Sequence, residues 1–222
     1  MFVRFVVALA FVAGSAAQGA EVTSLVLGTA IPGGGFTVYG EALANAVRDA
    51  DPSLDIRVQQ TAGSKENIPL LESGVIDLRL VEGTAAYEAL SGIGGAPAGL
   101  TVVAAMYPTP AMFAVRADSA YRAIADLRGR RVVFGAKGSG FVLLARYVLD
   151  GLGLDFQRDF VAVLLESAKE GPPMVLDGKA AAKIPPTASR APCTARNRHC
   201  ANVSRRRGGP GSKRCAGLLR LP

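Results

Sequence analysis

Through residue 178 the sequence has no histidine and no cysteine; His199, Cys193, Cys200 and Cys215 all lie beyond it. Without histidine, the usual base for a serine nucleophile is missing. That favours binding over chemistry for the first 178 residues. Acidic residues are missing after Asp177, while residues 179–222 carry 11 Lys and Arg. The first 178 residues hold 18 acidic and 14 basic side chains, so the formal charge of +7 and pI near 9.7 come from the tail alone. Long apolar runs are also missing. After the first twenty residues none approaches the ~20 residues needed to span a bilayer.

Those first twenty residues have the order of a secretory signal peptide. Arg4 is their only charged side chain, Phe5 to Ala13 is apolar, and Ser15-Ala16-Ala17 fits a cleavage site. The mature chain is expected to be exported to the periplasm, beginning between Gln18 and Glu21.

Three glycine-bearing segments stand where a strand should hand over to a helix. They are Gly28 to Phe36 (GTAIPGGGF), Thr61 to Asn67 (TAGSKEN) and Gly135 to Gly140 (GAKGSG). A helix start leaves N–H groups unpaired beside a partial positive charge. Glycine lets a ligand approach that backbone closely. Three such junctions suggest a site for a small anion, a carboxylate above all.

The pattern between them alternates strand and helix. Residues 22–27 read as a strand, and Thr37 as the cap of a helix through Asp49 with Val38, Leu43, Ala44 and Val47 on one side. Leu54 to Gln59 alternates as a half-buried strand. Asn67 caps a second helix with Pro69 in its first turn. Val75–Val81 is a strand and Gly83–Leu90 a helix. Leu100–Ala105, Met112–Val115, Arg131–Phe134 and Val161–Leu165 read as strands. Tyr121–Leu127 is a short helix, and Ser139 caps a longer one through Leu152. Val142, Ala145, Leu149 and Leu152 form its buried face. Repeated β-α units predict mostly parallel sheets covered on both faces. The proline-broken stretch Met106–Pro110 is the candidate crossing between two lobes.

At these residues the chain resembles the TAXI group of extracytoplasmic solute receptors, which serve TRAP-type transporters. Leu27–Ala44 resembles that family's opening glycine motif and helix. Thr61–Ala89 (TAGSKENIPLLESGVIDLRLVEGTAAYEA) resembles its next block. Asp126-Leu127-Arg128-Gly129 through Gly140, and Gly171–Gly178 followed by alanines, resemble blocks of the second lobe. Ala30 stands where the commoner pattern has glycine, and Arg79 where a small or apolar residue is usual. The resemblance covers residues 22–182 and implies an α/β, type II periplasmic-binding-protein-like fold of two lobes with a ligand cleft. It implies lobe 1 over 21–110 and lobe 2 over 111–178. The implied partners are a small organic acid or amino acid and the membrane permease subunits of a TRAP-type transporter, with no cofactor. A receptor for an ABC-type importer uses the same fold and is the alternative.

The candidate ligand-binding residues are Thr29, Gly33, Gly34, Gly35, Ser64, Asn67, Tyr87, Lys137, Gly138 and Ser139. Each has a plainer reading beside the functional one: turn, helix cap, packing side chain or solvated lysine. The enzymatic alternative is an exported enzyme using Ser139 or a carboxylate such as Glu66 or Glu82. Two motifs of that class fail. A P-loop needs lysine after its last glycine, and Lys137 precedes Gly138. A nucleophile elbow needs glycines two before and two after Ser139, where Lys137 and Phe141 stand.

The last 44 residues, 179–222, show neither helical nor strand period and are expected to be disordered. As a basic arm centred on Arg205-Arg206-Arg207 they lack an aromatic residue to stack on bases, so no nucleic-acid partner is expected. Their cysteine and histidine spacing fits no paired zinc pattern, so no metal is expected. Their Arg, Pro, Ala and Gly content is what GC-rich DNA yields out of frame, the reading preferred here. The second lobe is then incomplete. Strands left as open edges predict low solubility and a poor receptor.

Overall fold

The computed structural model describes residues 21–109, 111–184 and, as backbone, 217–221. The expected signal peptide, Pro110 and tail residues 185–216 lie outside them. Lobe 1 begins with β1 (Thr23–Gly28), α1 (Gly35–Ala50) and β2 (Leu54–Gln59). It continues with α2 (Ser64–Glu72), β3 (Leu78–Arg79) and α3 (Gly83–Ser91). Its strands are all parallel, in the order β2-β1-β3. Leu27, Ala44, Ile56 and Leu80 are its buried core.

Lobe 2 contains β4 (Met112–Arg116), β5 (Arg131–Gly135), α4 (Gly140–Asp150), β6 (Val161–Leu164), α5 (Gly171–Leu176) and β7 (Ala182–Lys183). The backbone of β8 (Gly217–Leu221) completes a sheet ordered β6-β5-β7-β4-β8. The trio β6-β5-β7 is parallel and repeats the second-first-third order of lobe 1. β4 runs antiparallel to β7 and parallel to β8. Phe134 anchors the core, with the rings of Phe113, Phe156 and Phe160 at 6.1, 4.4 and 6.0 Å. The mostly parallel α/β architecture read from the sequence is the one observed, with the β4–β7 pair antiparallel.

Several local expectations are corrected. Helix α1 starts at Gly35, and Thr37, inside it, donates its hydroxyl to the carbonyls of Ala30 and Ile31 instead of capping. Val38 is exposed, off the buried face. Helix α2 starts at Ser64 after Gly63, whose φ of 114° is open to glycine and strained for other residues. Asn67 and Pro69 therefore sit beyond the positions expected of them. The Val75–Val81 strand shrinks to Leu78–Arg79, because the Val75 and Ile76 N–H groups still donate to the Leu70 carbonyl at the end of α2. Leu100–Ala105 forms no strand. Its β-forming residues find no sheet edge in the connection between lobes, and Val102 and Val103 are exposed. Tyr121–Leu127 contracts to a 3-10 turn over Ile124–Leu127, where Asp126 accepts from the Arg122 and Ala123 N–H groups. Ser139 does cap α4, accepting from the Phe141 N–H at 3.2 Å.

The expected boundary at 178 also moves. Ala180, Ala182, Lys183 and Ile184 are buried, and β7 lies between β5 and β4. Small alanines fit between two packed strands, which a search for large apolar residues overlooks. Gly217–Leu221, expected to be disordered, supplies a strand beside β4.

Leu149 is fully buried on α4, whereas Leu152, expected on the same face, is 54% exposed just beyond the helix end. Leu149→Ala is expected to destabilise the protein by about 2–5 kcal/mol. Leu152→Ala should stay within about 0.5 kcal/mol. Urea unfolding of the two variants reads both, and equal losses would contradict the packing described.

Candidate functional site

The carboxyl ends of β1, β2 and β5 lead into loops that face each other across the two lobes. In open parallel sheets this is where ligands bind. The lobes meet there through backbone. The Lys65 N–H donates to the Gly138 carbonyl at 3.1 Å, and the Ala168 N–H to the Pro32 carbonyl at 3.2 Å. Further out, the Tyr147 hydroxyl donates to Glu88 at 2.9 Å.

Between these contacts lies a cavity of about 60 Å³, small against the several hundred Å³ of drug-sized pockets. The starts of three helices reach it: Gly34 and Gly35 of α1, Gly63 and Ser64 of α2, Ser139 and Gly140 of α4. Gly34 and Gly63 have no side chain with which to cap their helices. Ile31, Phe36, Phe141, Leu165 and Ile184 make most of the remaining wall apolar.

Of the residues singled out from sequence, Gly34, Gly35, Ser64 and Ser139 come together on this wall. Thr29 and Asn67 are fully buried behind it. The Thr29 hydroxyl donates to the Gln59 carbonyl, and Asn67 Nδ2 donates to the carbonyls of Thr29 and Leu80 at 2.8 and 3.0 Å. Both hold the loop in shape. Gly33 has a φ of 72° and lies beside the Lys169 side chain. Gly138 sits at the lobe contact, where an added Cβ would come within 2.8 Å of Ala62 Cβ. Tyr87 and Lys137 are exposed and outside the wall. The carboxylates named in the enzymatic alternative are engaged by backbone. Glu66 accepts from the Ala62 N–H, and Glu82 from the Thr84 and Ala85 N–H groups. No trio of His, Cys, Asp or Glu among the described residues is placed to hold a metal ion.

Sequence reasoning missed Lys183. It lines the cavity from β7 and is only 6% exposed. An alanine-rich, apolar segment interrupted by one lysine was the available signal, discarded with the tail. Burial pushes its ammonium below the usual lysine range. Arg79, the other inward cation, leaves Nη1 buried without a partner, but it does not reach the cavity.

With this geometry described, comparison with known proteins is direct. The model of the NMT1-like family matches residues 27–194. The chain belongs to that family. It is similar to the alkanesulfonate-binding protein SsuA from Xanthomonas axonopodis pv. citri bound to MOPS. That likeness has 25% identity and a TM-score of 0.51 over 75% of this chain and 55% of the other. It is similar to the periplasmic aliphatic sulphonate binding protein SsuA from Escherichia coli at 22% identity and a TM-score of 0.48, over 72% and 50% of the two chains. An ancestral arginine-binding protein bound to arginine matches at 18% identity and a TM-score of 0.47, over 72% and 69%. The chain spans about half the length of the two sulfonate-binding proteins. The family's fold here is the periplasmic-binding-protein type expected from the sequence.

Lys183 sets a pH dependence. Its folded pKa lies below the unfolded lysine value of about 10.4. Across that window the unfolded chain holds the extra proton, so stability from this group rises as pH rises. Lys183→Met removes both the buried charge and this rise. The variant is expected to be the more stable at pH 7, with the gap to wild type narrowing toward pH 10. Urea unfolding at both pH values measures the gap, and a constant gap would count against a lowered Lys183 pKa in the folded state.

Proposed function

We propose that this protein is an extracytoplasmic solute-binding receptor that closes two lobes around a small carboxylate- or sulfonate-bearing solute and presents it to a membrane permease. The observation that carries this reading is the convergence of three helix starts on one cavity between lobes. Backbone N–H groups at such starts favour an anion. The NMT1-like match and the likeness to an alkanesulfonate-binding protein support it. The charge, apolar and small-residue order of residues 1–20 supports export to the periplasm. We read lobe 1 as residues 21–110 and lobe 2 as starting at 111.

Two permease types compete. The blocks Thr61–Ala89 and Asp126–Gly140, which resemble TAXI receptors, support the TRAP type. The family match and the sulfonate-binding structure support an ABC-type importer, and we take this second reading as the better supported.

The receptor reading predicts saturable binding without turnover when the protein is titrated with organic acids and amino acids. Product formation lost in Ser139→Ala would replace it with the enzymatic reading. Closure gives a sharper check. Gly138→Ala places a Cβ against Ala62 across the lobe contact without entering the cavity wall. This variant should melt within about 1 kcal/mol of wild type and bind its solute about tenfold more weakly, since closure then carries a penalty of roughly 1.4 kcal/mol. Unchanged affinity would show that the closed arrangement is not the binding form.

A further inference from the structure

Among the described residues Lys183 is the one ionisable side chain in the cavity wall. The buried Glu82 lies behind Ser64 and Gly140, outside that wall, and its carboxylate accepts from the Thr84 and Ala85 N–H groups. Among the described residues no hydrogen bond or ion pair reaches the Lys183 ammonium, which lies beside Gly171 and close to the Leu165 wall. An ammonium partly withdrawn from water without an anion beside it is disfavoured. The starts of α1, α2 and α4 add partial positive charge to the same space and offer nothing to offset it.

We propose that the Lys183 ammonium is the counter-charge for the head group of a small organic monoanion, and that the cleft discriminates against zwitterions and dianions. The proposal rests on the receptor reading and narrows its ligand. One oxyanion head group balances one buried cation. An amino acid would bring its own ammonium among helix starts, with no carboxylate in the wall to receive it. A dicarboxylate would bring a second negative charge with no second cation. Ile31, Phe36, Phe141, Leu165 and Ile184 suit a body without polar groups, and a cavity of about 60 Å³ suits a body of few carbons.

Isothermal titration of the purified chain near pH 7.5 tests this with propanoate, ethanesulfonate, propanamide, alanine and succinate. Alanine is propanoate with one added ammonium, and propanamide is its neutral counterpart. At least one monoanion should bind, with the other three about tenfold weaker or more. The tighter of propanoate and ethanesulfonate identifies the head group. Lys183→Met should lower monoanion affinity about 10- to 100-fold and leave propanamide unchanged. If that variant does not fold, the selectivity of the wild-type protein decides alone. The inference is overturned if alanine or propanamide binds within about threefold of the monoanions, or if Lys183→Met keeps full affinity; the receptor reading survives both results. Silence from all five probes also overturns it. In these titrations the receptor reading fails if the wider panel of organic acids and amino acids is silent too.

Discussion

The backbone of one lobe touches the backbone of the other, and the rest of the arrangement depends on that approach. The Lys65 N–H to Gly138 carbonyl bond is possible because Gly63 and Gly138 carry no Cβ. Cβ atoms there would meet Gly138 O at 3.3 Å and Ala62 Cβ at 2.8 Å. At Gly140 an added Cβ would run into Glu82 Cβ and come within 2.7 Å of Ser64 Oγ. Three glycines at one seam let two strand-to-helix loops meet at hydrogen-bond distance. The cavity is the space these loops leave. Its walls are helix starts because loops of this kind end in helix starts.

The seam also explains which features were legible in the sequence. Strand β2 occupies the span its alternation predicted, Leu54–Gln59, because one face packs on a core and the other meets solvent. The Ser139 cap was legible for a similar reason: its hydroxyl acts two residues away, on the Phe141 N–H. Thr37 and Asn67 misled because their side chains act outside their own helix starts. One donates to Ala30 and Ile31, the other ties Thr29 to Leu80 across a strand pair. Tertiary partners of this kind leave no local periodic signal. Of the site itself, the glycine loops and Ser64 and Ser139 were readable as loop chemistry. Lys183 was not, since its role depends on β7 lying between β5 and β4, a pairing set by residues some fifty to seventy positions earlier in the chain.

The two lobes repeat one plan. In lobe 1 and in the β6-β5-β7 trio of lobe 2 the first strand is in the middle, the second on one side and the third on the other, with the helix after the first strand leaving a glycine loop. Parallel strands joined by helices place all their carboxyl ends on one edge of the sheet. Two such edges facing each other give a cleft lined by the positive ends of helix dipoles from both sides. If the cleft takes an anion, as proposed above, selectivity would have to come from what the repeat does not supply. Here that is the apolar wall and one cation on β7.

A full charge placed there has a consequence for motion. On the receptor reading proposed above, the arrangement described is the closed form, and its Lys183, with no anion among the described residues, would oppose closure of the empty cleft. The backbone bonds at the seam favour closure. An oxyanion between the lobes removes the first cost and leaves the second contribution in place. On that reading ligand binding and lobe closure would be one equilibrium, which the solute would shift by its differential interaction with the closed form. A neutral side chain at position 183 would remove that dependence and let the empty protein close by itself. On the proposed reading, the same charge that would destabilise the empty closed form would make closure report that the cleft is filled.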